Sequence, residues 1–200
     1  MGRYFDSFPL DYSLSIEDAL EIALDSTQRQ FGKIPFIEDR LSFLLNESLS
    51  TYYDIERWFF EWEINHCEDS LALPEYGLAH IKWFEPTSET LLLMPSLRGW
   101  ETPAYINWFA AGGAGRCNSQ FIVALLDEWH SKYGAELVGH YGTMLHFVVD
   151  RRPSTPNEAF HLAWQHNMVA PCTTILQGVS IRDHARALLH TNKWFLHERP

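Results

Sequence analysis

Ten histidines, three cysteines and 26 carboxylates are the side chains with chemistry to offer in this 200-residue chain. Eight of the histidines lie at or after His130. Imidazoles hold zinc when several share one face. The spacings are His140-x5-His146, His161-x4-His166, His184-x5-His190 and His190-x6-His197, with no HExxH. On a helix, His161 and His166 lie about 140° apart and cannot share a ligand face. No metal and no cofactor are predicted. A covalent mechanism needs a nucleophile on a tight turn beside a base. No GxSxG occurs. Cys172, with His166 six residues upstream and Pro171 turning the chain between them, is the one nominee. It defines the enzyme alternative, a hydrolase or transferase of unknown substrate. The competing role for Cys172 is that of a small buried apolar residue.

The carboxylates carry more information. The first 75 residues hold 16 Asp and Glu against 5 Lys and Arg, a net −11; residues 76–200 hold ten of each sign and sum to zero. A strongly negative surface repels nucleic acid and anionic lipid and attracts basic proteins. Neither nucleic acid nor membrane is therefore an expected partner. Lys and Arg are scattered, and the only adjacent pair is Arg151-Arg152. The glycine-rich Ala110–Gly115 lacks the Gly-Lys-Ser/Thr ending of a P-loop.

The elements that must position these groups read as follows. Ser15 caps a helix running to about Gln30, with Gly32 and Pro35 ending it. A short helix over Glu38–Asn46 turns Leu41, Leu44 and Leu45 inward. A third helix spans Ser50 to about Asn65, with Tyr52, Ile55, Phe59, Trp62 and His66 as its inward stripe. Beside that stripe Glu56 and Glu63 stack at i, i+7, and Phe60 projects outside the core. An exposed aromatic flanked by carboxylates is the composition of an interface hot spot aimed at a basic surface. Glu56, Phe60, Glu63, Asp54 and Glu61 are thus the predicted partner-binding residues. The alternative is that the aromatics are buried and that Asp54, Arg57 and Glu61 only pair along a wet face.

Beyond Pro74 the period changes. Ala79–Phe84 and Glu89–Met94 read as strands joined by Glu85-Pro86-Thr87-Ser88. Asn118 or Ser119 opens a helix to Tyr133, with Phe121, Ile122, Leu125, Leu126 and Trp129 inward and Gly134 stopping it. Ala135–His140 and Met144–Val149 form a hairpin. Thr155-Pro156-Asn157-Glu158 is a capping box opening a helix to about Asn167. Ser180 opens another to about Leu189, and Lys193–His197 is a last strand. The fold class is α+β, a mixed or antiparallel sheet packed with helices. An acidic helical part (1–78) and an α+β part (79–200) share one core, with the first two strands extending the sheet of the second part.

Residues 118–200 resemble the bacterial family known as domain of unknown function 4253. The matching pieces are Leu125–Gly139, Leu145–Val149, Arg152-Pro153, Glu158–Ala163, Cys172, Gln177-Gly178 and Trp194-Phe195. Trp129-x3-Tyr133-Gly134-Ala135 is the most specific of them. The family has Cys-Pro-Asp where this chain has Pro171-Cys172-Thr173. It also closes on an aromatic run and Asp, where this chain continues Leu196-His197-Glu198. Such domains resemble the small acidic proteins encoded beside bacterial toxins. By analogy the resemblance implies an immunity protein. The acidic half, the lack of a catalytic constellation and a cytoplasmic address lead to the expectation of a non-enzymatic binder of a basic toxin, a nuclease among the candidates. Free, widely spaced Cys67, Cys117 and Cys172 fit a reducing compartment. Met1–Asp6 has no apolar leader core. Twenty-nine aromatics make a second copy of the chain an alternative partner.

Overall fold

The computed structural model describes residues 14–74, 77–83, 88, 90–106 and 119–198. Three helices build the acidic part: α1 (Ile16–Phe31), α2 (Arg40–Asn46) and α3 (Tyr52–His66). Each starts on a side-chain cap from Ser15, Asp39 or Thr51. Ala19, Leu20, Ala23, Leu44, Ile55 and Phe59 close a small core among them. Small residues on α1 let it lie close to α3. Leu41 and Leu45 are 61% and 70% exposed, so of the three predicted inward leucines only Leu44 is buried.

The second part holds α4 (Ser119–Tyr133), β1 (Glu136–His140), β2 (Met144–Val148), α5 (Pro156–Val169), α6 (Cys172–Ile175), α7 (Ile181–His190) and β3 (Lys193–His197). The sheet is antiparallel in the order β1-β2-β3, with an irregularity between Leu137 and Gly139. The fold is therefore α+β. Cross-strand pairs Phe147–Trp194 and Leu145–Leu196 turn one face toward the helices. Trp129 of α4 meets Trp194 edge-on at 5.9 Å, and Tyr133, one turn on, meets it at 5.4 Å. Phe121, expected inward, is 49% exposed; Ile122, Leu125 and Leu126 take the inner face.

Gly134 follows α4 at φ 63° and returns its amide to the His130 carbonyl at 2.8 Å. Thr155 caps α5 as expected, but Glu158 reaches back to the Ser154 amide (2.7 Å) rather than to that of Thr155. The complete capping box is at α3, between Thr51 and Asp54.

The strands expected at Ala79–Phe84 and Glu89–Met94 do not form. Ala79–Ile81 is a single 3-10 turn, and residues 90–94 are irregular, with Leu91 and Leu93 about nine-tenths exposed. Neither stretch joins the sheet. Among the described residues the sheet has only the three strands β1, β2 and β3. A second 3-10 segment, Gly99–Ala104, packs on α4 and β1. The Ala110–Gly115 loop, Asn118, most of the Glu85–Ser88 turn and the chain start lie outside the described residues.

Candidate functional site

The third helix is rotated from its expected setting. Its buried face is Ile55, Glu56, Phe59, Phe60 and Glu63. Trp62 is half-buried and His66 exposed. Glu56 and Glu63 are 1% exposed and Phe60 is 2% exposed. These three predicted contact residues are thus interior, and the surface assignment is corrected. What overturns it is a pair of arginines more than a hundred residues away in the sequence, which make carboxylate burial tolerable.

Those arginines come from α7. Arg182 Nη1 bonds Glu63, and its Nε sits 3.3 Å from Glu56. Arg186 gives Nη2 to Glu63 at 2.6 Å, Nη1 to Asp183 at 2.8 Å and Nε to the Ser70 carbonyl at 2.6 Å. The Thr27 hydroxyl of α1 accepts from Arg182 at 2.8 Å and donates to Glu63 at 2.6 Å. Three carboxylates and two guanidiniums therefore tie α1, α3 and α7 together away from water. Phe60 serves as packing: Arg186 lies 5.3 Å over its ring, and Phe160 stacks on it at 5.4 Å. Burial pushes the Glu56 carboxyl up, with Arg182 opposing. Burial alone would lower Arg182; Glu56 and Glu63 more than reverse that, and its pKa is raised.

A second polar line crosses the interior beside the first. His80 Nε2 and His184 Nδ1 are 2.9 Å apart, and His184 Nε2 and His166 Nδ1 are 3.0 Å apart. All three rings are buried. A neutral imidazole has one donor and one acceptor, so a head-to-tail file satisfies both nitrogens of the middle ring. His166 ends between Trp129 (4.8 Å) and Trp194 (5.0 Å). Burial lowers His80 to about 4 and His166 to about 3; burial with His80 and His166 as neighbours takes His184 well below its ordinary value. Among the described residues no group of three or more His, Cys, Asp or Glu is placed to hold a metal ion.

His166, the base nominated for Cys172, turns its Nδ1 to His184 and packs against Trp129 and Trp194. A ring held at about 3 draws little proton from any thiol at neutral pH. Cys172 is 8% exposed, and its amide points 3.3 Å from Glu198.

Asp54 and Glu61 remain near the surface. Asp54 is committed to the start of α3: its Oδ2 accepts from the Thr51 amide (2.9 Å) and hydroxyl (2.7 Å), which, led by the hydroxyl bond, lowers its pKa. Glu61 is exposed and pairs with Arg57 at 3.0 Å. Arg57 then crosses to α5, donating to Asn157 Oδ1 at 2.9 Å, and bonds Tyr53 at 3.1 Å. The pair Arg151-Arg152 sits in a turn, where Arg151 bonds the Ser131 and Lys132 carbonyls that end α4. The residues that organise the interior (Arg182, Asp183, His184, Arg186 and His80) carry no motif. One signal was present: Arg182 and Arg186 are one turn apart on a ten-residue helix flanked by apolar Ile181, Ala185 and Leu188.

The interior defines an α+β domain stitched by internal ion pairs to an acidic helical lobe. Residues 90–197 match the family model described as domain of unknown function (DUF4253), and the chain belongs to that family. The matched stretch begins at residue 90, ahead of the resemblance seen from 118, and takes in the Gly99–Ala104 segment that packs on α4 and β1. No curated protein and no solved structure matches the chain. Among the described residues no helix is long and apolar enough to cross a membrane.

Proposed function

We propose that this protein is an immunity protein, one half of an effector–immunity pair. It binds a basic bacterial toxin directly in the cytoplasm and neutralises it without chemistry of its own. A nuclease is the toxin class that fits best, since a surface built for a polyanion also accepts an acidic protein. The observation that carries this reading is the outer face of α1 and the linker that follows it. Glu17, Glu21 and Asp25 line α1 at i, i+4 spacing and are all exposed. Phe36, 91% exposed, stands two and three residues before exposed Glu38 and Asp39. An aromatic anchor rimmed by carboxylates is hot-spot composition, at a different place from the one the third helix suggested.

The test is co-expression with the reading frame adjacent to its gene. The expected result is rescue of growth and a complex that weakens with salt. Reversing Glu17, Glu21 and Asp25 to Lys weakens the complex about tenfold or more, a loss of about 1.4 kcal/mol or more. Cys172→Ser protects as well as the parent. A folded Cys172→Ser variant that fails to protect would support the thiol-based alternative instead.

A further inference from the structure

We infer that the cleft between the Ala79–Ile81 turn and the start of β3 binds a small organic anion, an apolar body carrying a carboxylate or a phosphate. The site lies in the charge-neutral part of the chain, and its case is independent of the toxin reading above. A cavity of about 550 Å³ opens there. Small-molecule sites span roughly 300–1,000 Å³, so the volume suits a whole ligand. Leu78, Ala79 and Ile81 make its apolar side, with half-buried Trp83 beside them. Lys82 and Lys193 line it from two elements, the first just after the turn and the second at the head of β3. Both lysines are exposed.

Those lysines set the charge of the guest. Elsewhere the cations of this acidic chain are matched: Lys132 pairs with Glu158 at 3.3 Å, and Arg29, Arg40 and Arg57 each hold a carboxylate. Among the described residues no carboxylate pairs with Lys82 or Lys193. An ammonium acts as a point charge, so a carboxylate and a phosphate both satisfy it. The apolar side adds contact area that a bare ion cannot use. The frame is also fixed in advance. His80, buried and 2.9 Å from His184, fastens the turn to the interior. Trp83 gives its indole N–H to the Trp194 carbonyl at 3.1 Å and stacks on His146 at 4.6 Å. The Lys193 ammonium stands 4.9 Å over the Trp83 ring, and its amide donates to the Thr191 hydroxyl at 3.1 Å. A frame held this way lowers the ordering cost of binding.

Naphthalenes of one shape and different charge test the site. In isotope-labelled protein, 2-naphthoate and 2-naphthyl phosphate should shift the NMR signal of the Trp83 indole N–H, and the tighter of the two names the oxyanion. The cation 2-naphthylmethylamine should bind at least about tenfold more weakly than that anion at low salt. Inorganic phosphate, with no apolar body, should bind at least about tenfold more weakly than naphthyl phosphate. Lys82→Gln combined with Lys193→Gln changes two exposed side chains, should leave the circular dichroism spectrum unchanged, and should weaken both anions at least about tenfold. The inference is overturned if neither anion moves the Trp83 signal, or if the amine binds as tightly as the anions. It is overturned equally if inorganic phosphate matches naphthyl phosphate, or if the folded double variant binds the anions as the parent does.

Discussion

Helices α1 and α3 begin alike, each with a hydroxyl N-cap and an acid in its first turn. Their carboxylates then meet opposite surroundings. On α1, Glu21 and Asp25 stay wet and pair with exposed Arg40 and Arg29 at 2.6 and 3.0 Å. On α3, Glu56 and Glu63 are sealed against Arg182 and Arg186 of α7. Net charge read along a chain does not distinguish these cases. The distinction is made by a distant helix that supplies cations at the depth where water is gone. A buried carboxylate without such a partner would be several kcal/mol too costly to keep ionised.

That contrast breaks most sharply at Glu63. It is the shared acceptor of both arginines and Thr27. Glu63→Ala removes the acceptor shared by two buried guanidiniums, leaving Arg182 only Glu56 and Arg186 only Asp183 as carboxylate partners, and should cost about 3–5 kcal/mol in urea denaturation. Glu21→Ala on α1 should cost no more than about 1 kcal/mol. Equal losses at the two sites would mean that the interior pairs are not the linkage between the two parts.

The buried imidazoles sharpen the comparison through pH. In the unfolded chain each titrates near 6.5, whereas the fold holds His80 at about 4, His166 at about 3 and His184 well below ordinary. Between those values and 6.5 the unfolded chain binds more protons than the fold. Full stability is therefore present above about 6.5 and is lost as pH falls, by up to about 1.4 kcal/mol per pH unit for each ring. Glu56, raised by burial, has the opposite sign but acts in the carboxylate range. Urea midpoints from pH 7.5 to 5 should fall steadily, and His166→Gln should flatten that slope by about one proton. A flat profile would show that the rings are solvated.

The sequence made the local signals of this fold legible. The Ser15, Thr155 and Ser180 caps, the β1–β2 hairpin and the final strand stand where periodicity and turn chemistry put them. What was not legible depends on distant neighbours. Leu91–Leu93 look like a strand, yet they are irregular and exposed. Glu56 and Phe60 look exposed until α7 arrives. The polar residues of α7 suggest a surface helix, yet eight of its ten residues are buried, because its charges are matched on α3 and its imidazole on α5 and the Ala79–Ile81 turn.

The next effect down compares two helix ends, where Gly32 follows α1 and Gly134 follows α4. Both adopt positive φ, 66° and 63°. A Cβ at Gly32 would meet nothing within 4 Å, so Gly32→Ala should cost only the left-handed backbone term, about 1–2 kcal/mol. A Cβ at Gly134 would come within 2.6 Å of Asp150 Oδ2 and 2.9 Å of its Cβ. Gly134→Ala should therefore cost at least about 1 kcal/mol more, read as a larger drop in melting temperature.

The smallest effect is the most direct test of where the wet region ends. Glu21–Arg40 has both partners about half exposed, so its coupling free energy in a double-mutant cycle should be about 0.2–1 kcal/mol. Raising salt from 0.1 to 1 M shortens the screening length from about 10 Å to about 3 Å and should erase most of it. Glu63–Arg186, with both side chains 1% exposed, lies beyond the reach of that screening. Its coupling should survive 1 M salt nearly unchanged. If both couplings collapse together, ions are reaching the α3–α7 seam, and the interior pairs open in solution. If only the Glu21 coupling collapses, the acids open to a partner are those of α1 and of the Glu38-Asp39 linker that follows it.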